Sequence, residues 1–191
     1  MTQHLYFVTG NANKFRELQD GLAACPVHAE RVALDLPEIQ ALDPAEVASF
    51  KARAGFEALT AQGITNPLVL VEDTGLGINA WDGFPGALIK WVLGTVGEAG
   101  LCRQLNAWED RSALATVVLC LYDGQTVQRF TGQTTGTITH EPRGTLGFGW
   151  DSIFQPDGYT ITYGEMPREE KMKISMRGLA LTGLKKYFQV Q

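Results

Sequence analysis

The sequence predicts an α/β fold with a mixed β-sheet in one domain that spans residues 1–191. In the first half of the chain, short apolar runs of β-forming residues alternate with segments of helical periodicity. In the second half, several strand-like runs follow one another, which is typical of antiparallel pairing. The chain has 191 residues, 45% of them hydrophobic, which is enough for a core without disulfides or structural metals.

The first half of the chain predicts two strand–helix pairs. In chain order, the expected elements are a strand over residues 5–9, a helix over 14–24, a strand over 27–36 and a helix over 43–62. The start of the second helix is well marked. Asp43 can cap it, Pro44 suits its first turn and Glu46 lies three residues after the cap.

The most informative segment is an apolar run over residues 68–71 that is followed by Glu72, Asp73 and Gly75. We expect a short buried strand that ends before Gly75, and then an ordered glycine-rich surface loop over residues 75–86. In open α/β sheets, the carboxyl ends of strands border the ligand crevice. Because desolvated carboxylates need a cation, the two acids predict a metal ion or a substrate cation at this point.

The second half of the chain predicts two helices, three antiparallel strands, a second glycine-rich loop and a long final helix. In chain order, these are helices over residues 87–93 and 98–108, strands over 113–122, 127–133 and 135–140, a loop over 142–150, and a helix over 167–188. The pair Asp123-Gly124 predicts a hairpin turn between the first two of these strands.

Composition excludes several classes of protein. The net charge of −5 argues against a duplex nucleic-acid binder but permits a local basic pocket. The three cysteines, Cys25, Cys102 and Cys120, are far apart and form no C-x-x-C pair, so we expect a reduced, cytoplasmic protein. We expect no membrane association, because the first residues lack signal-peptide features and no apolar run reaches the ~20 residues of a membrane helix.

Several segments could bind an anionic ligand. The loop over residues 9–14 joins a strand to a helix, so it can aim backbone N–H groups and the charge of Lys14 at an anion. This evidence is weak alone, because the loop lacks the G-K-[ST] of a Walker motif. Lys51 lies on the apolar stripe of its helix, where it either extends to solvent or reaches into a pocket. Lys90 lies beside Trp91, which we expect in the core.

The second glycine-rich loop ends in Phe148-Gly149-Trp150-Asp151. Two aromatic rings and an acid suit the recognition of a planar ring, or else they hold the loop in place as buried side chains. In the final helix, the basic residues at 171, 173 and 177 predict a charged, solvated face. The three histidines show no ligand spacing, so carboxylates would bind a hard ion, Mg²⁺ or Mn²⁺.

In order, these motifs resemble those of the inosine triphosphate pyrophosphatase family, especially its eukaryotic-type members. The resemblance covers nearly the whole chain and is carried by Thr-Gly-Asn-x-x-Lys (9–14), Leu-Pro-Glu (36–38), Val-Glu-Asp-Thr-Gly (71–75), Gly-x-Pro-Gly (83–86), Phe-Gly-Trp-Asp (148–151) and Glu-Lys-x-x-x-Ser-x-Arg (170–177). It implies a long mixed β-sheet with flanking helices and two lobes around a central cleft, in a homodimer. It also implies Mg²⁺-dependent hydrolysis of purine nucleoside triphosphates such as ITP, dITP and XTP to a monophosphate and pyrophosphate.

The resemblance also implies roles for individual residues. Glu38 and Asp73 would bind the metal, and Asp73 would activate the attacking water. The residues implied to hold the triphosphate are Thr9, Gly10, Asn11, Ala12, Asn13, Lys14, Lys51 and Lys171. Thr74 and Lys90 match further substrate contacts. Phe148 would stack on the base, and the residues implied to shape base recognition are Gly149, Trp150, Asp151, Met176 and Arg177.

Met176 is a departure from the family pattern, in which a histidine usually stands and reads the 6-keto oxygen of the base. A methionine cannot donate that hydrogen bond. Two alternatives therefore remain beside the leading hypothesis. The protein could bind nucleotides without turning them over, or it could be a nucleotide pyrophosphatase with relaxed base selectivity.

Overall fold

The computed structural model describes residues 3–190. Its helices and strands are, in chain order, β1 (Gln3–Val8), α1 (Ala12–Leu22), β2 (Val27–Val32), α2 (Pro44–Ala61), β3 (Leu68–Ile78), β4 (Pro85–Gly86), α3 (Ile89–Gln104), β5 (Ser112–Tyr122), β6 (Val127–Ile138), β7 (Phe154–Pro156), α4 (Arg168–Ile174) and α5 (Met176–Val190). The predicted α/β class is confirmed.

The strands form one mixed sheet of seven strands in the order β2-β1-β3-β5-β6-β7, with the short β4 paired to β3. β1 is parallel to β2 and to β3, whereas β3, β5, β6 and β7 pair antiparallel. The parallel pairing of β1 with β3 ends at Phe7 opposite Leu70. Beyond that point β1 turns into the loop before α1, which leaves a crevice beside the middle of β3.

The two faces of the sheet pack against different helices. One core contains Leu70 of β3 together with residues of α1, α3 and α5, such as Leu18 and Leu181. The other contains Val69 and Val71 of β3 together with residues of α2. Because side chains alternate along a strand, neighbouring positions of β3 face opposite helical layers.

The structure corrects the prediction for the third strand. β3 does not end before Gly75 but continues to Ile78, because β5 pairs with it from Val69–Tyr122 to Ile78–Ala113. Glu72 and Asp73 therefore lie in the middle of a strand. The predicted surface loop over residues 75–86 contains the end of β3, a 3₁₀ turn over Asn79–Trp81, and β4.

Three further predictions are wrong in their boundaries, and two of them concern breaks in an element. The strands predicted over residues 127–133 and 135–140 form one strand, β6, because β5 pairs with it without interruption. The final helix is instead two helices, α4 and α5, because the extended backbone of Ser175 (φ −73°, ψ 152°) separates them. The predicted strand over residues 27–36 ends at Val32.

Other predictions are confirmed in detail. Asp43 caps α2, since its carboxylate accepts a hydrogen bond from the Ala45 backbone N–H at 2.8 Å. The two helices predicted over residues 87–93 and 98–108 correspond to α3, which ends at Gln104 and in which Gly97 adopts a non-helical conformation (φ 66°, ψ 176°). Within residues 3–190, no helix combines the length and apolarity that crossing a membrane would require.

Candidate active site

A cleft of about 1060 Å³ lies beside the middle of β3. It is lined by most of the residues that the sequence singled out: Thr9, Gly10, Asn11, Ala12, Lys14, Glu38, Lys51, Asp73, Thr74, Lys90, Phe148, Trp150, Asp151, Met176 and Arg177. Asn13, Gly149 and Lys171 are not among the residues that line it. Segments more than 160 positions apart in the chain thus meet in one cavity.

Side chains of the loop before α1 fix its conformation by hydrogen bonds to the backbone. Asn11 caps the helix, because its side-chain oxygen accepts from the backbone N–H groups of Asn13 at 2.9 Å and Lys14 at 3.2 Å. The Thr9 hydroxyl accepts from the Asn11 N–H at 3.1 Å. The N-terminus of α1 and the ammonium of Lys14 therefore face the same cleft, an arrangement that favours an anion.

Alternation along β3 places its two acids on opposite faces. Asp73 follows Val69 and Val71 in orientation and faces α2, where its Oδ1 lies 3.5 Å from Lys51 Nζ. Glu72 follows Leu70 and faces α1 and α5. Two acids that are adjacent in sequence thus serve two separate clusters of charge.

Lys51 lies between two carboxylates. Its ammonium is 2.9 Å from Glu38 Oε1 and 3.5 Å from Asp73 Oδ1. Burial lowers the pKa of Lys51, but the two carboxylates outweigh burial and hold that pKa above its usual value. For Glu38, burial raises the pKa, but the hydrogen bond and charge of Lys51 outweigh it and lower the pKa overall. Lys51 therefore reaches into the pocket, which settles the choice that the sequence left open.

Asp73 carries an unusual proton affinity. Its desolvation on burial raises its pKa to about 6, although the charges of Lys51 and Lys14 act in the opposite direction. Its Oδ2 atom is buried and has no hydrogen-bond partner among the described residues. A buried carboxylate oxygen without a donor is costly, so this atom is suited to a cation or to a proton from a bound water.

A second cluster of charge lies on the other face of the sheet, and all its members except Lys14 are buried. Glu72 accepts from Arg177 at both oxygens, at 2.8 and 2.9 Å, and its Oε1 is 3.0 Å from Lys14 Nζ. The Nη1 of Arg177 donates to Glu17 at 2.6 Å. Burial raises the pKa of Glu72, but Arg177 and Lys14 hold it far below its usual range. The expected solvated face of the final helix is wrong here, because Arg177 and Lys171 are buried.

The glycine-rich loop that ends in Phe148-Gly149-Trp150-Asp151, called the aromatic loop below, is held by a third cluster of charge. Asp151 Oδ2 accepts from the Phe148 N–H at 2.7 Å and from Lys171 Nζ at 2.6 Å. The ring of Phe148 lies 5.3 Å from both Lys171 Nζ and Arg177 Cζ. Gly147 has φ 84°, and a Cβ there would overlap the Asp151 carboxylate. The loop is therefore pinned so that one face of the cleft carries a fixed aromatic ring.

Trp150 and Phe148 differ in their burial. Trp150 is buried and packs against Phe154 at a centroid distance of 5.4 Å, so it anchors the loop. Phe148 remains partly exposed in the cleft. Trp91 is 61% exposed, so its predicted place in the core is wrong, and Lys90 lies 5.7 Å from its ring.

Met176 is buried at the start of α5 and contributes to the cleft wall. The backbone of α5 approaches β6 closely there, since a Cβ on Gly132 would overlap the carbonyl oxygen of Met176. The position is therefore fixed in space, and its thioether offers no hydrogen-bond donor to the cleft.

The sequence did not indicate which acids pair with Arg177. Glu17 lies on α1, one turn after Lys14, and nothing in its local pattern distinguishes it from a surface acid. Glu72 was expected, with Asp73, to meet a metal ion or a substrate cation, but it pairs with Arg177 and Lys14. The available signal was the alternation of β3, which places Glu72 with the residues that face α1 and α5.

The fold and cleft define an α/β protein in which a helix N-terminus and lysines face a set of carboxylates. The model of the Ham1 family matches residues 5–187. This chain belongs to the Ham1 family.

Two kinds of relative support the assignment. A protein of Batrachochytrium dendrobatidis named inosine triphosphate pyrophosphatase is 44% identical over 188 residues, which cover 98% of this chain and 95% of that protein. The solved structure of a HAM1 protein from Coxiella burnetii matches with a TM-score of 0.84 and 27% identity, covering 99% of this chain and all of that one. A nucleoside-triphosphatase, described as a dITP/XTP pyrophosphatase, from Mycobacterium abscessus matches with a TM-score of 0.73 and 27% identity, covering 95% and 98% of the two chains.

Proposed function

We propose that this protein hydrolyses non-standard purine nucleoside triphosphates, with ITP, dITP and XTP as its substrates, to a nucleoside monophosphate and pyrophosphate. The observation that carries the proposal is a single cleft that joins an anion-binding loop, a lysine between two carboxylates and a fixed aromatic ring. The relative named inosine triphosphate pyrophosphatase, at 44% identity, supports the same reaction.

The phosphate end of the cleft is the loop before α1 together with Lys14 and Lys51. The backbone N–H groups at the start of α1 and the two ammonium groups would bind the triphosphate, with Thr74 and Lys90 as further contacts. Neutralising the charge of pyrophosphate, the leaving group, is the main demand of this reaction. Lys171 contributes indirectly, because its ammonium is 2.6 Å from Asp151.

Glu38 and Asp73 fit a Mg²⁺ ion, with Mn²⁺ as an alternative. Both carboxylates approach Lys51, and Asp73 Oδ2 is a buried oxygen without a hydrogen-bond partner among residues 3–190. No group of three or more His, Cys, Asp or Glu converges within the described part of the chain. Mg²⁺ is often held by one or two carboxylates plus substrate phosphates and water. When bound, it would polarise the phosphate and lower the pKa of a nearby water.

Asp73 would take the proton of the attacking water. The water oxygen forms a bond to the α-phosphorus, the bond from that phosphorus to the α–β bridging oxygen breaks, and pyrophosphate leaves. A carboxylate with a pKa raised to about 6 is a better proton acceptor than an ordinary aspartate and is still ionised at neutral pH. At the other end of the cleft, Phe148 would stack on the purine. Asp151 and Arg177 would hold the Phe148 ring in place.

The assay measures pyrophosphate release from ITP, XTP, ATP and GTP, with Mg²⁺ and with a chelator. We expect release from ITP and XTP that depends on the metal. Nucleotide binding by calorimetry without release would instead identify a non-catalytic binding protein.

We also propose that the protein is a homodimer and that it is located in the cytoplasm. Light scattering would test the first proposal and cell fractionation the second.

Relaxed base selectivity is a second candidate function, because the cleft wall carries the thioether of Met176. Met176→His would restore a donor towards the base. One such hydrogen bond is worth about 1–3 kcal/mol, so we expect the ratio of kcat/KM for ITP over ATP to rise by about 5- to 150-fold. Met176→Leu is the matched control, because it keeps the volume without adding a donor. An unchanged ratio in both variants would exclude a selectivity role for this position.

A further inference from the structure

Glu72 lies at the meeting point of three elements. Its carboxylate belongs to β3, the guanidinium that it binds at both oxygens belongs to α5, and the ammonium at 3.0 Å belongs to α1. Its Oε1 also accepts from the Thr74 hydroxyl at 3.1 Å. Oε1 of Glu72 is therefore contacted by Arg177, Lys14 and Thr74, and all three residues line the cleft.

The cluster is more deeply buried than the acid pair around Lys51. The side chain of Glu72 is 2% exposed and that of Arg177 is 4% exposed, whereas Lys14 is 20% exposed at the edge of the cleft. Nε, Nη1 and Nη2 of Arg177 all donate to carboxylates, to Glu72 and to Glu17. Arg177 is thus held from two sides. The contacts continue to Lys14 through Glu72, directly at 3.0 Å and through the Thr74 hydroxyl, which lies 3.5 Å from Lys14 Nζ.

We propose that Glu72 is a positioning residue. It fixes the position of the Lys14 ammonium relative to Arg177, and so fixes the phosphate end of the cleft relative to the aromatic ring of Phe148. This inference rests on the proposed hydrolysis. Glu72 touches neither phosphate nor base in this role. It acts through Lys14 on one side and through Arg177, whose Cζ lies 5.3 Å from the Phe148 ring, on the other.

The two consequences of losing this carboxylate have opposite signs. Its negative charge lies beside the anion site, so its removal strengthens the attraction of the cleft for phosphates. Its hydrogen bonds orient Lys14, so its removal leaves the ammonium misplaced for the departing pyrophosphate, and a misplacement near 1 Å can cost about 100-fold in rate. If Glu72 has a positioning role, its loss should therefore strengthen the binding of phosphates and slow turnover.

The experiment compares Glu72→Gln with wild type in two measurements. Calorimetry with inorganic tripolyphosphate reports phosphate binding without a base, and steady-state kinetics with ITP report kcat. We expect tripolyphosphate to bind about 3- to 10-fold more tightly in the variant, while kcat falls by about 10- to 100-fold. A purely structural role would weaken both together.

Glu17→Gln is the matched control. It removes a buried carboxylate from the same guanidinium, at 2.6 Å, but leaves the contact between Glu72 and Lys14 in place. We expect its kcat to fall by less than one-third of the factor seen for Glu72→Gln. If Glu72→Gln fails to fold, Glu72→Asp keeps the charge and withdraws the carboxylate, so kcat falls without tighter binding of tripolyphosphate.

Any weakening of tripolyphosphate binding in Glu72→Gln, or a fall in kcat of less than threefold, overturns the inference. Equal losses of kcat in Glu72→Gln and Glu17→Gln also overturn it, because Lys14 would then not be involved. Failure of the proposed function has a different signature, since wild-type protein would then release no pyrophosphate from any nucleotide.

Discussion

The two ends of the cleft differ in how their charges are balanced. At the acid end, Glu38, Lys51 and Asp73 have side chains that are 41%, 16% and 14% exposed, and one buried oxygen of Asp73 has no donor in the part of the chain that the structure describes. At the aromatic end, Asp151 and Lys171 are 6% and 5% exposed and pair at 2.6 Å. The acid end is therefore electrostatically incomplete, whereas the aromatic end is complete before any ligand arrives.

This difference separates two uses of buried charge. A fully paired ion cluster holds a loop or helix in one place, and breaking it leaves an uncompensated charge. An incompletely paired carboxylate carries a raised pKa and can accept a proton or a cation. Phe148 therefore has a fixed position, while Asp73 retains the capacity to react.

Asp73→Asn should have the largest effect on activity, which falls, whereas the stability of the folded protein at pH 8 rises. We expect kcat to fall by about 100- to 10,000-fold, because the amide cannot act as a base. The folded-state pKa of Asp73 is raised to about 6, so the stabilising contribution of this group is present below its unfolded pKa and is lost as pH rises through 6. At pH 8 the variant should be more stable by on the order of 1–3 kcal/mol, measured by chemical denaturation without metal. Full activity would refute the role of Asp73.

Arg177→Met tests whether the buried cluster is structural support. We expect a loss of roughly 3–5 kcal/mol of unfolding free energy, because Glu17 and Glu72 remain buried without their partner. Arg168→Met is the control, since Arg168 pairs with Asp20 at 2.6 Å on the surface, where such pairs contribute about 0–1 kcal/mol. Similar losses in the two variants, measured by urea denaturation, would show that the buried cluster supports the fold no more than a surface ion pair does.

Lys51→Met should have the smallest but most specific effect. The Lys51 charge lowers the pKa of Asp73 against the opposing effect of burial, so without it that pKa should rise above about 6. A ¹³C NMR titration of the Asp73 carboxyl in chelator-treated protein measures the shift. Lys90→Met is the control, because Lys90 helps to lower the pKa of Glu38 and is not among the main causes that shift the pKa of Asp73. A titration of Asp73 that stays unchanged in Lys51→Met would show that the two groups are uncoupled.

Much of the fold followed from local pattern, and the errors have a common cause. The cap of α2 at Asp43 was predictable because all its determinants lie within a few residues. The length of β3 was not, because β5 extends the strand through glycines that locally indicate a turn. The break at Ser175 was missed for a similar reason, since it lets α5 approach β6 at Gly132.

The candidate site shows the same division. The sequence indicated the loop before α1, the acids, the lysines and the aromatic loop, because each belongs to a short motif. The assignment of Lys171 to Asp151, and of Arg177 to Glu72 and Glu17, depends on residues up to 160 positions apart. No local pattern encodes such pairs.

The sequence by itself determined the fold class, which side chains carry charge or rings, and which residues of β3 share a face, because these depend on neighbouring residues and on a fixed repeat. Only the tertiary structure decided which charges became fully paired, and that a buried oxygen of Asp73 has no hydrogen-bond partner within residues 3–190. That outcome depends on burial and on distances between distant elements, and the electrostatic energy of a charge changes severalfold with both.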